Sequence, residues 1–214
     1  MNSISFNHDG TLLAGGGGNK IAYVWEVATL DPIKIIHDTH TGAIAEVAFN
    51  HDGTALAITD SGGKQLSLWN VDAISKTLNM YDLIALDTNT TYLGLAFGTI
   101  IVNAGPSEID FRESSGAYYI NNPKDSGTYP SWIAELKLNN DNTRVYGAEK
   151  GRIYKWDTSD GSLLKVYNLE ATSYIANFDV SPDETTAVYC STTDYVSDDV
   201  SDTHYVFRFI SLED

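Results

Sequence analysis

The chain repeats itself with a period of about 43 residues, and this repeat limits the folds that it can adopt. Residues 5–11 (SFNHDGT) recur as residues 48–54 (AFNHDGT), and the segment that ends in Trp25 recurs 44 residues later, ending in Trp69. Internal periods of 20–50 residues are typical of arrays in which each unit buries its apolar side against the next unit. The repeat therefore predicts one array of similar units.

Fainter copies of the unit continue through the second half of the chain. Residues 136–143 precede Trp156, and residues 178–184 precede a strand in which we predict that Phe209 takes the tryptophan position. One more unit fits between these copies and the first two, with Phe111 predicted at the tryptophan position. The units fall at about 1–41, 42–90, 91–130, 131–171 and 172–214.

Within each unit the sequence has the pattern of short strands rather than helices. Larger apolar residues alternate in 47–49 and 136–138, and the HDG and NDN segments supply Asp, Asn and Gly for tight turns. Each unit holds about four such strands, and no segment has convincing helical periodicity. Four short strands per 40–45 residues predict an all-β chain, a single β-propeller domain over 1–214 with about five four-stranded blades.

Tryptophan dipeptides at the ends of the third strands add a resemblance to a known family. Trp156-Asp157 is a WD dipeptide, Trp69-Asn70 and Trp25-Glu26 are close variants, and residues 40–44 resemble the histidine segment that leads into a blade. The chain thus resembles the WD-repeat family, which implies a non-enzymatic platform for protein–protein contacts.

The resemblance is incomplete at one supporting position. The family usually carries an aspartate six residues before the tryptophan, where it bonds the histidine of the repeat. Asn19, Gly63 and Lys150 occupy that position here. We therefore expect the network to be absent.

The two ends of the array are not equivalent. The first strand, at 3–6, is an innermost strand, and the chain ends on a third strand at 205–212, so the last blade is predicted to lack its outer strand. An exposed edge along 204–212 is a template for pairing with another chain, in an assembly with copies of itself or with other proteins. This edge also motivates a second hypothesis, a structural component of a virus or phage particle, such as a decoration or tail protein.

The charge balance excludes several partners. The chain has 29 acidic and 13 basic residues, a formal net charge of −16, which repels phosphate backbones and anionic lipid headgroups. No apolar run approaches 18 residues and no signal peptide is evident at the N-terminus. These features favour a cytoplasmic protein, or one in a virus particle, that binds neither nucleic acid nor membrane. The lone Cys190 excludes an intrachain disulfide and is predicted to be buried in a strand.

No motif in the chain predicts a cofactor or a metal. The glycine run 15–18 lacks the Lys-Ser/Thr of a phosphate-binding loop and is predicted to be a turn between two strands. His37 and His40 lie three residues apart without a nearby cysteine, which favours hydrogen bonding over zinc binding.

Two glutamates are the candidate catalytic residues under a third hypothesis. Glu46 and Glu135 occupy the same position of their units, three residues before the end of the innermost strand. Two carboxylates at the mouth of a propeller are the pair that a glycoside-cleaving enzyme needs. A carbohydrate-binding or glycoside-cleaving propeller is therefore an alternative to the platform.

Aromatic residues mark the candidate interaction surfaces. Aromatic side chains on loops and edges contribute large contact areas at low entropic cost. The least repeat-like segment, 117–132, is rich in them, and so is the predicted edge strand. The candidates are Tyr118, Tyr119, Tyr129, Trp132, His204, Tyr205, Phe207 and Phe209.

Overall fold

A computed structural model of the chain is all-β, as predicted. It describes residues 1–61, 65–72, 74–85, 94–98, 100–104, 109–113, 119–121, 133, 135–149, 151–169, 175–197 and 200–213. Within these residues no helix has the length and apolarity needed to cross a membrane.

Nineteen strands follow one another along the described chain. They are β1 Ser3–Phe6, β2 Leu12–Gly16, β3 Ala22–Glu26, β4 Pro32–Ile36, β5 Ile44–Phe49, β6 Ala55–Asp60, β7 Gln65–Asp72, β8 Thr77–Ala85, β9 Gly94–Phe97, β10 Ile100–Ala104, β11 Ile109–Glu113, β12 Tyr119–Asn121, β13 Glu135–Leu138, β14 Arg144–Glu149, β15 Arg152–Asp157, β16 Leu163–Asn168, β17 Ile175–Val180, β18 Thr186–Ser197 and β19 Val200–Ser211.

The strands form small antiparallel meanders in chain order. Sheets I (β1–β4), II (β5–β8), III (β9–β12) and IV (β13–β16) each have the four strands of a propeller blade. Sheet V contains β17–β19, with β19 at its edge among the described strands. Each sheet packs on the next one in the chain, and the first strands line a common channel. This arrangement is a β-propeller.

The same ladder of three cross-strand partners occurs in every sheet. It joins the end of the first strand to the second strand and then to the tryptophan position of the third strand. The ladders are Phe6–Leu13–Trp25, Phe49–Leu56–Trp69, Phe97–Ile101–Arg112, Leu138–Val145–Trp156 and Val180–Ala187–Ile210.

These ladders correct two sequence predictions. Arg112 and Ile210, rather than Phe111 and Phe209, stand in the tryptophan position of sheets III and V. Each prediction was wrong by one residue, and a one-residue shift moves a side chain to the opposite face of its sheet. Phe209 therefore lies on the face opposite to that of the tryptophans.

The sheets bury apolar side chains between facing surfaces. We call the surface toward the preceding sheet the front face and the surface toward the following sheet the back face. Between sheets I and II, the back-face residues Leu12, Ala14 and Val24 form one buried cluster with the front-face residues Phe49 and Trp69. Because the hydrophobic effect scales with the apolar surface area removed from water, these interfaces stabilise the packing of neighbouring sheets.

Turn residues confirm the predicted turn chemistry between the first and second strands. Gly10 and Gly53 adopt left-handed φ values of 70° and 72°. In the fourth and fifth units Asn142 and Glu184 take the same position and the same conformation, with φ of 60° and 58°. Preceding asparagine side chains accept backbone N–H groups across the turn in three units, in the pairs Asn7–Leu12, Asn50–Ala55 and Asn139–Arg144.

The glycine run differs from its prediction as a turn. Gly15 and Gly16 are the last residues of β2, and Gly16 lies against sheet II. A Cβ atom on Gly16 would lie 2.3 Å from Cγ2 of Ile44. The glycine at this position allows the two sheets to approach closely. Cys190 is buried in β18, as predicted.

Candidate functional site

The first strands of the sheets enclose a central channel. It has a volume of about 550 Å³ and is lined by residues of the first strands of all five sheets. Polar residues of four sheets line it, among them Ser3, Glu46, Glu135, Lys137 and Asn177.

One repeat position in this channel bridges neighbouring sheets. Its side chain accepts the backbone N–H of the residue that follows the equivalent position in the next innermost strand. Ser3 Oγ accepts from Val47 at 3.2 Å and Glu135 Oε2 accepts from Phe178 at 2.9 Å. Glu46 accepts from the backbone of Leu95 in the same way. Both glutamates therefore have a structural role as bridges between first strands.

Glu46 has an unusual electrostatic environment. Its Oε2 is buried without a hydrogen-bond partner among the described residues. Burial and, to a smaller extent, the charge of Glu135 raise the pKa of Glu46 to about 8, against the opposing effects of the Leu95 hydrogen bond and Lys137. Glu46 is thus mainly protonated at neutral pH.

Glu135 lies in a more polar part of the same channel. Lys137 Nζ lies 2.9 Å from Glu135 Oε1, and Asn177 Nδ2 donates to that oxygen at 3.4 Å. Burial opposes the charged form of Lys137, but the neighbouring Glu135 carboxylate leaves the pKa of the lysine raised. The fold brings Glu46 and Glu135 to one cavity, and their use as a catalytic pair stays a prediction.

Sheet II contains the supporting network that was expected to be absent. Trp69 Nε1 donates to Ser67 Oγ at 2.9 Å, and Ser67 Oγ lies 2.8 Å from His40 Nε2. His40 Nδ1 lies 3.6 Å from Asp60 Oδ2, a contact longer than a hydrogen bond. Burial lowers the pKa of His40, so the neutral ring with a proton on Nδ1 fits this chain of contacts.

The carboxylate in this network was missed because it stands elsewhere in the unit. Asp60 lies nine residues before Trp69, at the end of β6, rather than six residues before it. Its oxygens also accept the backbone N–H groups of Thr41, Gly42 and Gln65. The sequence signal that could have identified it is an aspartate at the end of the apolar segment 55–60 (ALAITD), just before Ser61 and two glycines.

Sheet IV has a different set of polar residues at the equivalent positions. The Tyr154 hydroxyl donates to Glu149 Oε1 at 2.5 Å, and burial raises the pKa of Tyr154 to about 12. Trp156 Nε1 has no hydrogen-bond acceptor within the described part of the chain. The network of sheet II is therefore not repeated in the described part of sheet IV.

The predicted interaction residues divide into three groups. Phe207 and Phe209 on β19 are 71% and 76% exposed. For Tyr119 in β12 and for His204 and Tyr205 in β19 the structure describes the backbone only. The remaining candidates lie outside the described residues: Tyr118, Tyr129 and Trp132. The part of the interaction surface that can be examined is therefore the edge strand.

The neighbouring histidines His37 and His40 point to different surroundings. His37 Nδ1 lies 2.5 Å from Asp38 at the surface, whereas His40 is buried in its network. In the described part of the chain no three His, Cys, Asp or Glu side chains lie close enough together to hold a metal ion.

Comparisons with known proteins agree with this geometry. Residues 1–26 match the WD40 family, described as WD domain, G-beta repeat. Guanine nucleotide-exchange factor SEC12 of Rattus norvegicus is 32% identical over 89 residues, which are 42% of this chain and 21% of that protein. Eukaryotic translation initiation factor 3 subunit I of Brugia malayi is 26% identical over 202 residues, covering 89% of this chain and 60% of that protein.

A solved structure shows the same fold. The structure of U3-55K superimposes with a TM-score of 0.72 at 17% identity, covering 88% of this chain and 59% of that one. The chain thus spans from about a fifth to three fifths of the length of these three proteins.

The sheets around a channel and this structural match define the class of protein as a β-propeller. The tryptophan repeats, the network of sheet II and the sequence matches make the assignment narrower. The chain is a divergent, WD-repeat-like β-propeller.

Proposed function

We propose that the chain is a non-enzymatic platform that holds protein partners within an assembly. WD-repeat-like propellers are typically protein-interaction platforms, and the relative from Brugia malayi is named as a subunit of a larger factor. The relatives named above give no support to the virus-particle and glycoside-cleaving hypotheses.

We propose further that sheet V is a fifth blade, of which the structure describes three strands. It repeats the three-residue ladder of the other sheets, and its first strand contributes Asn177 to the same channel. The blade boundaries at about 1–41, 42–90, 91–130, 131–171 and 172–214 belong to this proposal.

The edge of β19 is the observation that carries the platform proposal. β19 pairs with β18 on one side, and no other described strand pairs with its outer side. The N–H of Leu212 donates to Thr185, in the loop before β18. Because N–H groups alternate sides along a strand, the N–H of Ser211 points outward, where an added strand of a partner would accept it.

A proline at Ser211 tests this proposal with little effect on the fold. The Ser211→Pro variant removes an outward N–H, and Ser211→Ala is the matched control that keeps it. Tagged wild-type protein and both variants would be recovered from an extract of the source organism, with circular dichroism to verify folding. We expect partners to co-purify in stoichiometric amounts with wild type and with Ser211→Ala, and to be lost with Ser211→Pro.

Two other results would contradict parts of the proposal. Equal recovery of partners by folded Ser211→Pro would show that they do not bind at this edge. A wild-type protein that retains no stoichiometric partner would contradict the platform function itself.

A further inference from the structure

Two histidines of neighbouring sheets lie side by side at one end of the molecule. His8 lies in the turn between β1 and β2, and His51 lies in the equivalent turn between β5 and β6. Their ring centres are 4.8 Å apart, and the ring planes make an angle of 53°. The pair is a product of the repeat, because residues 5–11 and 48–54 place a histidine at the same position of each turn.

The backbone fixes the distance between the two turns. Asn7 and Asn50, which precede the histidines, each accept a backbone N–H across their own turn. A Cβ atom on Gly53 would lie 3.5 Å from Cβ of Asn7 and 3.7 Å from the backbone nitrogen of His8, so the two turns pack against each other. A ligand of both rings would therefore not have to order the turns first, which favours binding.

The two imidazole rings are accessible to a ligand. Both histidines are exposed, and within the described part of the chain no hydrogen bond joins their ring nitrogens to another residue. The residues that follow them, Asp9 and Asp52, are close enough for their charges to interact with the rings. Each of these carboxylates accepts hydrogen bonds from a threonine of its own turn. The aspartates thus add negative potential beside two free nitrogen ligands.

The separation of the rings fits two imidazoles on one metal ion. Histidine nitrogens bind zinc at about 2.0–2.1 Å. With both nitrogens directed at one ion, the ring centres would be about 4.5 Å apart for a right angle at the ion and about 5.2 Å apart for the tetrahedral angle. The observed 4.8 Å lies between these values. The tilt of 53° also distinguishes this pair from a stacked pair such as Tyr23 and Trp25, at 12°.

The chemistry of the pair selects the kind of ion. Imidazole nitrogen suits zinc, nickel and copper, whereas calcium and magnesium prefer oxygen ligands. The net charge of −16 attracts cations to the surface. The described residues provide no third His, Cys, Asp or Glu at this place, so water would complete the coordination.

We propose that His8 and His51 together bind one divalent transition-metal ion, with water at the remaining coordination positions. His51 also lines the central channel, so the ion would lie at the mouth of the channel and link the turns of sheets I and II. The equivalent residues of sheets IV and V are Asn140 and Pro182. Among the described turns, the site is therefore confined to the first two sheets.

Calorimetric titration of the untagged, metal-free chain with Zn²⁺ and with Ni²⁺ tests this site. We expect one ion to bind per chain, and an excess of Ca²⁺ not to displace it. His8→Asn and His51→Asn should each weaken binding about tenfold or more, because the second ligand of a chelate binds at a high effective concentration. Asparagine is the natural residue at this position in sheet IV, so both variants should fold.

The matched control is His37→Asn, at an exposed histidine beside Asp38 and outside the pair. This variant should bind metal as wild type does. Protons compete with metal ions for imidazole nitrogen, so binding by wild type should also be lost as the pH falls from about 7.5 to about 5. Circular dichroism verifies the fold of each variant.

A measurement on wild type alone covers the case of a variant that does not fold. In nuclear magnetic resonance spectra, substoichiometric amounts of paramagnetic Ni²⁺ should broaden the ring signals of His8 and His51 before those of His37.

Three results would overturn the proposal. They are a wild-type chain that takes up neither Zn²⁺ nor Ni²⁺, a folded His8→Asn or His51→Asn variant that binds as tightly as wild type, and broadening that begins at His37.

Discussion

At the scale of single residues, Glu46 links the stability of the fold to pH. Its pKa is raised to about 8 in the folded protein, mainly by burial, so the folded state holds a proton that the unfolded state has released. Where the folded state binds more protons, the free energy of unfolding decreases as pH rises. The decrease in the free energy of unfolding occurs between about pH 4.5, the ordinary pKa of a glutamate, and about pH 8, its pKa in the folded protein.

Replacing Glu46 with glutamine should remove this pH dependence. Glutamine stays neutral and can still accept the Leu95 N–H. Between pH 5 and 8, the free energy of unfolding of wild type should fall relative to Glu46→Gln by up to about 1 kcal/mol per pH unit. Urea titrations at several pH values measure this difference, with Glu213→Gln at the exposed C-terminal end as the control. Parallel curves for wild type and Glu46→Gln would contradict the prediction.

Gly16 is the residue at which the packing of two sheets leaves least space. Alanine at this position would place its Cβ 2.3 Å from Ile44, so strand β5 must shift. We expect Gly16→Ala to reduce the free energy of unfolding by about 1–3 kcal/mol, as overpacking does in other cores. Gly18→Ala is the matched control, because a Cβ there meets no atom within 4 Å. Thermal unfolding measures both, and equal stability of the two variants would contradict the close approach.

At the scale of elements, the Asp60 network joins the segment before β5 to the interior of sheet II. The side chain of Asp60 is completely buried and faces His40. It accepts three backbone N–H groups, two from the segment before β5 and one from the first residue of β7. Buried polar groups of this kind depend on every partner, because an unsatisfied donor or acceptor loses its hydration without compensation.

An isosteric change at Asp60 should therefore be costly. In Asp60→Asn one oxygen becomes an NH₂ group, which faces backbone donors in either orientation. We expect a loss of about 2–3 kcal/mol in the free energy of unfolding. Asp38→Asn, at an exposed site beside His37, should change it by less than about 0.5 kcal/mol. Chemical denaturation of both variants measures the difference, and a small effect at Asp60 would show that the network is not stabilising.

At the scale of the whole molecule, the features that sequence could predict are those that act locally. The turn residues Asp9-Gly10 and Asp52-Gly53 specify their own backbone conformation, and alternating apolar residues specify strands. The 43-residue period follows from these two signals. The all-β propeller and the equivalent positions of Glu46 and Glu135 in their units were predictable for this reason.

Features that depend on pairing between distant segments were not predictable. In sheet V the tryptophan position is occupied by Ile210 rather than Phe209. The β18–β19 hairpin is longer than its equivalents, so the spacing of residues along the sequence does not specify the strand register there. The contacts of Asp60 with His40 and with three backbone N–H groups depend on where strand β6 ends. The exposure of Phe6 and Phe207 depends on which sheets have a neighbour, which no local pattern records.

Gly94 interrupts a row of hydrogen bonds between neighbouring first strands. It occupies the bridging position of sheet III, where Ser3, Glu46 and Glu135 in the other sheets offer an oxygen to the next first strand, and it has no side chain to do so. Sheets III and IV are instead joined by a buried apolar cluster that includes Ala96, Leu136 and Trp156. At this boundary hydrophobic packing therefore acts without the hydrogen bond that strengthens the other three boundaries between neighbouring sheets.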